Sequence, residues 1–168
     1  MKKVALIIFF VCIFANFINA QSYLQYTGDV EIIDMDEDGS SVRFKVVAST
    51  DKNNESHLKM VAERTVLCEL LFTGIEGVNN NEKLVQRENI EFFENFFDGK
   101  RNRYPYLRFV KGIQQAGTPK KMKNNEYQFV YYVEIKYKAL VNEMKLHKLS
   151  DANAEIIMPK ISKETKFN

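Results

Sequence analysis

SHLKMVAERTVLCELLFTGIEG, residues 56–77, is the one long stretch of the chain with a clear helical period. A stripe of residues recurs three or four positions apart, as on one face of a helix. The stripe consists of Leu58, Val61, Ala62, Thr65, Cys68 and Phe72. In the last two turns the segment is apolar on nearly every side, which is typical of a helix covered on more than one face. It therefore predicts the central helix of a small α+β domain, with strands before and after it.

Residues 25–48, before the central helix, predict a β-hairpin. The apolar residues of 42–48 alternate with Arg43, Lys45 and Val47, and 30–32 alternate in the same way. The loop Glu37-Asp38-Gly39 ends in glycine, where a three-residue hairpin loop needs a left-handed backbone. This loop sets a register that pairs Asp36 with Ser40, Ile32 with Phe44, Val30 with Val46 and Glu31 with Lys45.

Four further segments complete the predicted fold. Residues 88–98 (ENIEFFENFFD) predict a short helix, and 107–115 predict a strand with a bulge at Gly112. Residues 127–137 (YQFVYYVEIKY) predict a strand, and 138–149 predict a short amphipathic helix. The order β-β-α-α-β-β-α predicts an α+β fold in two layers: an antiparallel sheet of about four strands with helices packed on one face.

Residues 1–20, MKKVALIIFFVCIFANFINA, have the parts of a secretory signal peptide. Lys2 and Lys3 form the basic start, 4–14 form the apolar core, and Ala20 ends the cleavage site. The apolar core is shorter than the ~20 residues of a membrane-spanning helix, so the chain is not expected to span a membrane after cleavage. We expect an exported protein, periplasmic or at the outer envelope, with a single domain at 21–150 and a polar C-terminal tail at 151–168.

Charge and cysteine content limit the chemistry of the exported chain. Residues 21–98 hold 16 acidic and 7 basic residues, whereas 99–168 hold 6 acidic and 15 basic residues. We interpret these halves as faces that attract each other within one domain, and a basic face for an anionic partner is the alternative. Cys68 is the only cysteine after residue 20, so we expect a buried thiol and no intrachain disulfide. A catalytic thiolate would need an exposed, electropositive setting and a histidine partner.

The order of segments between residues 27 and 149 carries a resemblance. A strand precedes a helix of the ESHLKMVAERTVLCELLFTGI kind, and FFENFF and a tyrosine-rich strand entering a short helix at 137–140 follow. This order resembles a set of small exported proteins of Bacteroidetes-type bacteria. The strand-to-helix unit is similar to the α/β modules of LPP20-like and flagellar-assembly T-type envelope proteins. The resemblance implies a periplasmic or outer-envelope setting and a non-enzymatic module, and it supplies no catalytic residues.

The acidic loop of the hairpin matches the first half of a calcium-binding loop. Asp34, Asp36 and Asp38, followed by Gly39, fit the pattern D-x-D-x-D-G, whose carboxylates surround a hard cation. The full motif needs a glutamate at its twelfth position, where Lys45 stands. An acidic hairpin turn accounts for the same residues, so calcium binding is the alternative here, and we expect no cofactor.

No spacing in the sequence indicates a catalytic site. His57 and His147 are the only histidines, and we expect them on the surface at helix ends rather than in a zinc site. Glu63 and Glu69 are six residues apart on the central helix, which puts them on different faces and argues against joint acid–base work. The sequence has no G-x-S-x-G, no phosphate loop and no H-E-x-x-H.

Basic and aromatic residues of the second half are the candidate contacts for a ligand or an anion. They are the loop residues Lys100, Arg101, Arg103 and Tyr104 and the strand residues Tyr131 and Tyr132. Interleaved basic and aromatic side chains can bind nucleic acid, but export and a neutral mature chain argue against a nucleic-acid partner. An anionic glycan, a lipid headgroup or a small molecule fits the expected location better.

The sequence leads to three hypotheses about function. The first is an exported, non-enzymatic interaction or assembly module of the bacterial cell envelope, with a protein partner there. The second is a ligand-binding protein, which should have an open pocket lined by Tyr131 or Tyr132. The third is a secreted enzyme of unfamiliar type, which would need two or more ionisable side chains converging in a cleft.

Overall fold

The computed structural model of the protein describes residues 25–99 and 104–151. These residues form an α+β fold with one antiparallel sheet and three α-helices. The predicted signal peptide at 1–20, the residues Lys100, Arg101 and Arg103, and the predicted tail beyond Asp151 lie outside the described residues. No helix of the described ranges is long and apolar enough to cross a membrane.

The sheet consists of four main strands and one very short strand. They are β1 (Asp29–Met35), β2 (Val42–Thr50), β3 (Val110–Gln115), β4 (Lys120–Lys121) and β5 (Tyr127–Ile135). The strand order is β1-β2-β5-β3, and β4 pairs with the beginning of β5. β2 and β5 pair along their whole lengths, from Val42 opposite Ile135 to Thr50 opposite Tyr127. These two long strands form the centre of the sheet.

The hairpin register predicted for β1 and β2 is confirmed away from the turn and wrong at the turn. Val30 lies opposite Val46, Glu31 opposite Lys45 and Ile32 opposite Phe44, as predicted. A bulge at Ile33 then shifts the register, and the amide of Asp36 donates to the carbonyl of Ser41 at 3.0 Å instead of pairing with Ser40. The loop is one residue longer than predicted, and the bulge compensates for the extra residue.

The central helix, α1 (Glu55–Cys68), is shorter than the predicted stretch 56–77. It begins at Asn54, whose side-chain oxygen accepts a hydrogen bond from the amide of His57 at 2.8 Å. A wider, π-helical turn follows at Glu69–Thr73. The carbonyls of Leu70 and Leu71 in this turn accept hydrogen bonds from the amides of Leu84 and Val85, which belong to the loop that follows.

The remaining helices lie close to their predicted positions. α2 (Ile90–Asp98) is capped by Asn89 at its start and by Gly99 at its end, and α3 (Tyr137–Leu146) follows β5 after one residue, Lys136. The predicted strand 107–115 is shorter than expected, because a 3₁₀-helical turn occupies Pro105–Phe109. The register of β3 with β5 shifts between Val110 and Gly112, next to the bulge predicted at Gly112. The described order is therefore β-β-α-α-β-β-β-α, one short strand more than predicted.

One face of the sheet is buried in the core. The alternate residues Val42, Phe44, Val46, Ala48, Phe129, Tyr131, Val133 and Ile135 are all buried. Apolar side chains of α1, α2 and α3 belong to the same core cluster, and α1 contacts β2 and β5. The opposite side of β2 and β5, here termed the outer face, is exposed or half-buried. It consists of Arg43, Lys45, Val47, Ser49, Gln128, Val130, Tyr132 and Glu134.

Candidate functional site

A cleft of about 520 Å³ opens at the end of the sheet where β2 ends and β5 begins. Its walls come from the segment before β1, the end of β2, the first turns of α1 and the turn before β5. It is lined by Gln25, Tyr26, Thr27, Ser49, Thr50, Asp51, His57, Val61 and Glu126. This site is termed the polar cleft, because the described part of the chain supplies two carboxylates and no lysine or arginine to it.

Hydroxyl groups at the end of β2 form hydrogen bonds with the ionisable side chains of the polar cleft. The hydroxyl of Thr50 donates to Asp51 Oδ1 at 3.3 Å and lies 3.0 Å from His57 Nε2. The hydroxyl of Thr50 therefore links Asp51 to His57 within the cleft. The hydroxyl of Ser49 donates to Glu126 Oε2 at 3.1 Å. Each carboxylate is thus positioned by one hydroxyl group of β2.

The two carboxylates of the polar cleft have no ion-pair partner in the described part of the chain. Neither Asp51 nor Glu126 is within ion-pair distance of a basic side chain in the described ranges. Carboxylates that share a concave site without a counter-ion attract positive charge and repel anions. The described residues contain no group of three or more His, Cys, Asp or Glu side chains that could hold a metal ion. The cleft can accept hydrogen bonds and attract an organic cation.

A second set of charged residues is buried on α1, next to the polar cleft. Arg64 is only 5% exposed, and its guanidinium donates to the carbonyl of Phe97 at 2.8 Å and to Asp98 Oδ1 at 3.0 Å. The same group lies 3.4 Å from the hydroxyl of Tyr26. Aromatic rings surround it at 5.1 to 6.0 Å, and they belong to Tyr26, Phe97, Tyr104 and Tyr106. Such rings stabilise a cation that has lost its water.

Glu63 completes this group, termed the buried ionic cluster (Glu63, Arg64, Asp98 and Tyr106). Glu63 is 8% exposed, and the hydroxyl of Tyr106 donates to its Oε2 at 3.3 Å. Burial raises the pKa of Glu63, and the hydrogen bond from Tyr106 acts in the opposite direction. Burial also raises the pKa of Tyr106. The cluster joins α1 to α2 and to the 3₁₀ turn, so its charges serve to fix the packing.

Cys68 lies one helical turn after Arg64 and is buried, as predicted. Burial raises the pKa of its thiol to about 12. The thiolate is the reactive form of cysteine, and at neutral pH this side chain carries almost none of it. The environment of Cys68 is therefore that of an inert core residue.

Of the residues predicted to contact a ligand, the three that the structure describes, Tyr104, Tyr131 and Tyr132, do not converge. Tyr131 is fully buried, and its hydroxyl donates to Gln115 Oε1 at 3.1 Å, so it offers no exposed surface to a ligand. Tyr132 lies on the outer face, and Tyr104 is 40% exposed beside Arg64. Neither Tyr131 nor Tyr132 lines the polar cleft. Lys100, Arg101 and Arg103 lie outside the described residues.

The acidic hairpin turn has its carboxylates engaged locally. Asp34 accepts from the amide of Met35, and Asp36 and Asp38 accept from the hydroxyl and the amide of Ser40, each at 2.9 Å. The bonds from Ser40 lower the pKa values of Asp36 and Asp38. The ammonium groups of Lys111 and Lys138 each lie 3.7 Å from one of these two carboxylates. The three aspartates are not grouped around a cation position, so the geometry is that of a hairpin turn.

The two histidines lie at helix ends, as predicted. His57 is in the first turn of α1, and His147 follows α3, where its ring is 3.2 Å from Glu143. Glu63 is buried while Glu69 is half-buried in the π-helical turn, so the two do not form a pair. The ionisable groups that do converge in a cleft, Asp51, His57 and Glu126, were not identified from the sequence, because the fold brings them together from three segments.

The outer face combines apolar, aromatic and charged side chains. The Arg43 guanidinium lies 5.2 Å from the ring of Tyr132 and donates to Gln114 Oε1 at 3.2 Å. The other two charged residues of this face are neutralised, Lys45 by Glu31 and Glu134 by Lys111, each at 2.6 Å. Arg43 has no carboxylate within ion-pair distance among the described residues. Asp34 and Glu134 lie opposite Arg43 on β1 and β5, and both carboxylates line a small pocket with it. Arg43 is therefore the basic group of this face that is flanked by carboxylates but forms no ion pair with them within the described residues.

Comparisons with protein-family models, with curated proteins and with solved structures find no match for this chain. The predicted resemblance to exported envelope proteins therefore stays a prediction. Any function must be argued from the residues of this chain alone.

Proposed function

We propose that this protein is an exported, non-enzymatic interaction module of the bacterial cell envelope that binds a protein partner through the outer face. The proposal takes the helices to form one layer on the buried side of the sheet, so that the outer face is left for the partner. The observation that carries it is Arg43 resting on Tyr132 without an ion pair to its neighbours Asp34 and Glu134.

The composition of the outer face supports a protein partner. Tyrosine and arginine are enriched in the energetically important centres of protein interfaces, and Tyr132 and Arg43 lie against each other here. Val47 and Val130 lie opposite each other on β2 and β5 and add an apolar patch beside them. We infer a partner that places a carboxylate on Arg43 and apolar surface on the two valines.

The non-enzymatic part of the proposal is supported by the state of the buried ionisable groups. Glu63 and Arg64 have partners inside the protein, and Cys68 is held as a thiol. Residues with shifted pKa values are often catalytic when they lie in a cleft, but these lie in the core. Their shifts follow from packing, so they do not argue for an enzyme. Asp51, His57 and Glu126 do converge in the polar cleft, as the enzyme hypothesis requires, and the proposal assigns these groups to binding.

The export part of the proposal rests on residues 1–20 and is tested separately. Expression in a bacterium, followed by fractionation, should place the protein in the periplasm or outside the cell. Sequencing of the mature N-terminus should begin at Gln21. A cytoplasmic protein that retains Met1 would overturn this part of the proposal without affecting the outer face.

Site-specific cross-linking tests the docking surface. A photoreactive phenylalanine analogue replaces Tyr132 on the outer face, and in the matched control it replaces Lys83, which is exposed in the loop before α2. In cells, the probe at position 132 should form one reproducible adduct with an envelope protein, and the probe at position 83 should not. Equal adducts at both positions, or none at position 132, would contradict the proposal.

Charge reversal provides a second test of the same surface. Arg43→Glu should abolish the adduct, because it places a carboxylate where the partner's carboxylate is expected. Arg87→Glu is the matched control, since Arg87 is an exposed arginine that pairs with Asp151 away from the sheet. It should leave the adduct unchanged, and thermal unfolding should show that both variants are folded. Loss of the adduct in both variants would argue against a specific role for Arg43.

A further inference from the structure

The polar cleft contains two carboxylates without a basic partner beside several neutral hydrogen-bonding groups. We propose that it binds a ligand with both an ammonium group and several hydroxyl groups, that is, an amino sugar with a free amine. This site is separate from the outer face and goes beyond the interaction function proposed above. Three features of the cleft favour such a ligand: its charge, its hydrogen-bonding groups and its aromatic wall.

The charge of the cleft selects the sign of the ligand. Asp51 and Glu126 both line it, and the lining contains no lysine or arginine, with His57 as its other ionisable side chain. A cleft lined by charges of one sign concentrates its field and attracts the opposite charge. An ammonium group between the two carboxylates gains charge-assisted hydrogen bonds. The anionic glycan or lipid headgroup expected from the sequence would be repelled here.

The neutral groups of the cleft select a hydroxyl-rich ligand. The amide of Gln25 and the hydroxyl groups of Thr27, Ser49 and Thr50 can donate and accept hydrogen bonds. Apolar surface is limited mainly to the ring of Tyr26 and to Val61. Most small-molecule pockets are lined largely by apolar side chains, and a polar lining leaves buried donors unpaired unless the ligand is polar itself. The volume of about 520 Å³ is in the usual range for a small ligand, roughly 300–1,000 Å³.

Tyr26, the aromatic side chain that lines the cleft, is held in place by Arg64. The Tyr26 ring lies 5.1 Å from the Arg64 guanidinium, and its hydroxyl is 3.4 Å from Arg64 Nη1. Because Arg64 is buried and bound to Phe97 and Asp98, it anchors the ring that lines the cleft. A wall that is ordered before binding loses little entropy when a ligand packs against it. Tyr26 therefore offers a prepared surface for the apolar face of a sugar ring.

Calorimetry with sugars of different charge tests the proposal on the wild-type protein. The probes are the β-linked dimer of glucosamine, which carries ammonium groups, its neutral N-acetylated form, and a dimer of galacturonic acid. At low salt the glucosamine dimer should bind about tenfold or more tighter than the neutral form, and the galacturonate dimer should not bind. Added salt should weaken binding of the glucosamine dimer. Equal binding of the first two sugars, preferred binding of galacturonate, or no binding at all would overturn the proposal.

A fourth probe separates the ammonium group from the hydroxyl groups. Cadaverine carries two ammonium groups and no hydroxyl group, so it should bind more weakly than the glucosamine dimer. Cadaverine binding as tight as that of the dimer would show a simple cation site and would overturn the hydroxyl part of the proposal.

Isosteric variants place the binding in the cleft. Asp51→Asn and Glu126→Gln remove one charge each and keep the oxygen that Thr50 or Ser49 bonds to. Each should weaken glucosamine-dimer binding about tenfold, whereas Glu76→Gln, at an exposed carboxylate outside the cleft lining, should have no effect. Arg43→Glu should also have no effect, which keeps this test independent of the proposed function. Unchanged binding in both folded cleft variants would overturn the assignment.

Discussion

The polar cleft and the buried ionic cluster lie on two sides of Tyr26 and use charged residues in opposite ways. Tyr26 lines the cleft, and its ring packs against Arg64 of the cluster. In the cluster, the guanidinium has a carbonyl, a carboxylate and four aromatic rings around it. In the cleft, Asp51 and Glu126 have only hydroxyl partners. The buried guanidinium of the cluster has partners for both of its Nη atoms, although its Nε has none, whereas the two carboxylates of the cleft have no counter-ion within the described residues.

This difference separates structural charge from charge that is available to a ligand. A buried charge without partners costs several kcal/mol, so the cluster must be satisfied for the protein to fold. A solvated carboxylate costs little, and the fold gains little by neutralising it. A shifted pKa in the cluster therefore reports on packing, whereas the unneutralised charges in the cleft are available to a ligand. Four predictions test this distinction.

The largest expected effect concerns the reactivity of Cys68, one turn from Arg64. Because its thiol pKa rises from 9.0 to about 12, its thiolate fraction at pH 8 should be lower by about a thousandfold than that of an ordinary cysteine. Iodoacetamide labelling followed by mass spectrometry of the peptide that contains Cys68 measures this rate. Labelling should be fast in urea and nearly absent in the native protein. Fast native labelling would show that this side of α1 is open to solvent.

Removal of the Arg64 side chain should give the largest loss of stability. Arg64→Ala leaves Glu63 and the carbonyl of Phe97 without their basic neighbour and empties the space between the rings. Breaking a buried ion pair lowers the free energy of unfolding by roughly 3–5 kcal/mol. Because Asp98 is 51% exposed and can be solvated, we expect a loss at the low end of this range, about 3 kcal/mol. Urea unfolding measures it. Arg87→Ala, at an exposed ion pair, should cost less than about 1 kcal/mol, and equal losses would contradict a special role for the cluster.

Substitution of Glu63 should change how stability depends on pH. Burial raises the folded-state pKa of Glu63 above its ordinary value of 4.5, so the folded state holds the proton more tightly than the unfolded state does. The stability that this proton supplies is complete below pH 4.5 and is lost as the pH rises through the raised pKa. Glu63→Gln keeps an acceptor for Tyr106 and has no such loss.

The free energy of unfolding of wild type relative to Glu63→Gln should therefore fall as the pH rises above 4.5 and then level off. The change should be smaller than the loss in Arg64→Ala, because the carboxyl keeps its bond from Tyr106. Urea unfolding at a series of pH values measures it. Glu76→Gln, at an exposed carboxylate, serves as the control and should show no such trend. Parallel curves for wild type and Glu63→Gln would mean that Glu63 is solvated.

The sequence predicts much of the fold because apolar periodicity is a local signal. The strand 127–137 was predicted from alternation, and its residues Phe129, Tyr131, Val133 and Ile135 are all buried. Its predicted end was wrong, because the strand stops at Ile135 and Tyr137 begins α3. The β1–β2 register away from the turn was predicted correctly from the pairing of Glu31 with Lys45. The bulge at Ile33 and the π-helical turn after Cys68 were missed, because both depend on bonds to other parts of the chain rather than on residue type.

The candidate site was much harder to predict than the fold. Asp51, His57 and Glu126 belong to separate segments, and only the pairing of β2 with β5 brings them to one end of the sheet. The buried cluster had a local signal that was overlooked: Glu63 and Arg64 interrupt an otherwise apolar stretch of α1. Charged residues at such positions indicate partners elsewhere in the chain, which here are Asp98 and Tyr106.

The smallest expected change in stability is that of the cleft variants. Asp51→Asn and Glu126→Gln each keep an oxygen that accepts from Thr50 or Ser49, and neither removes an ion pair within the described residues. We therefore expect the double variant to change the free energy of unfolding by no more than about 0.5 kcal/mol. Urea unfolding at pH 7 measures this value beside that of Arg64→Ala.

The sign of this small change is also informative. Two carboxylates in one cleft repel each other, so removing both charges should stabilise the protein slightly if it changes stability at all. A loss of about 2 kcal/mol or more would show that the carboxylates hold the end of the sheet together, as the buried cluster holds α1. The cleft would then be a second structural cluster, and the contrast between satisfied and available charge would fail.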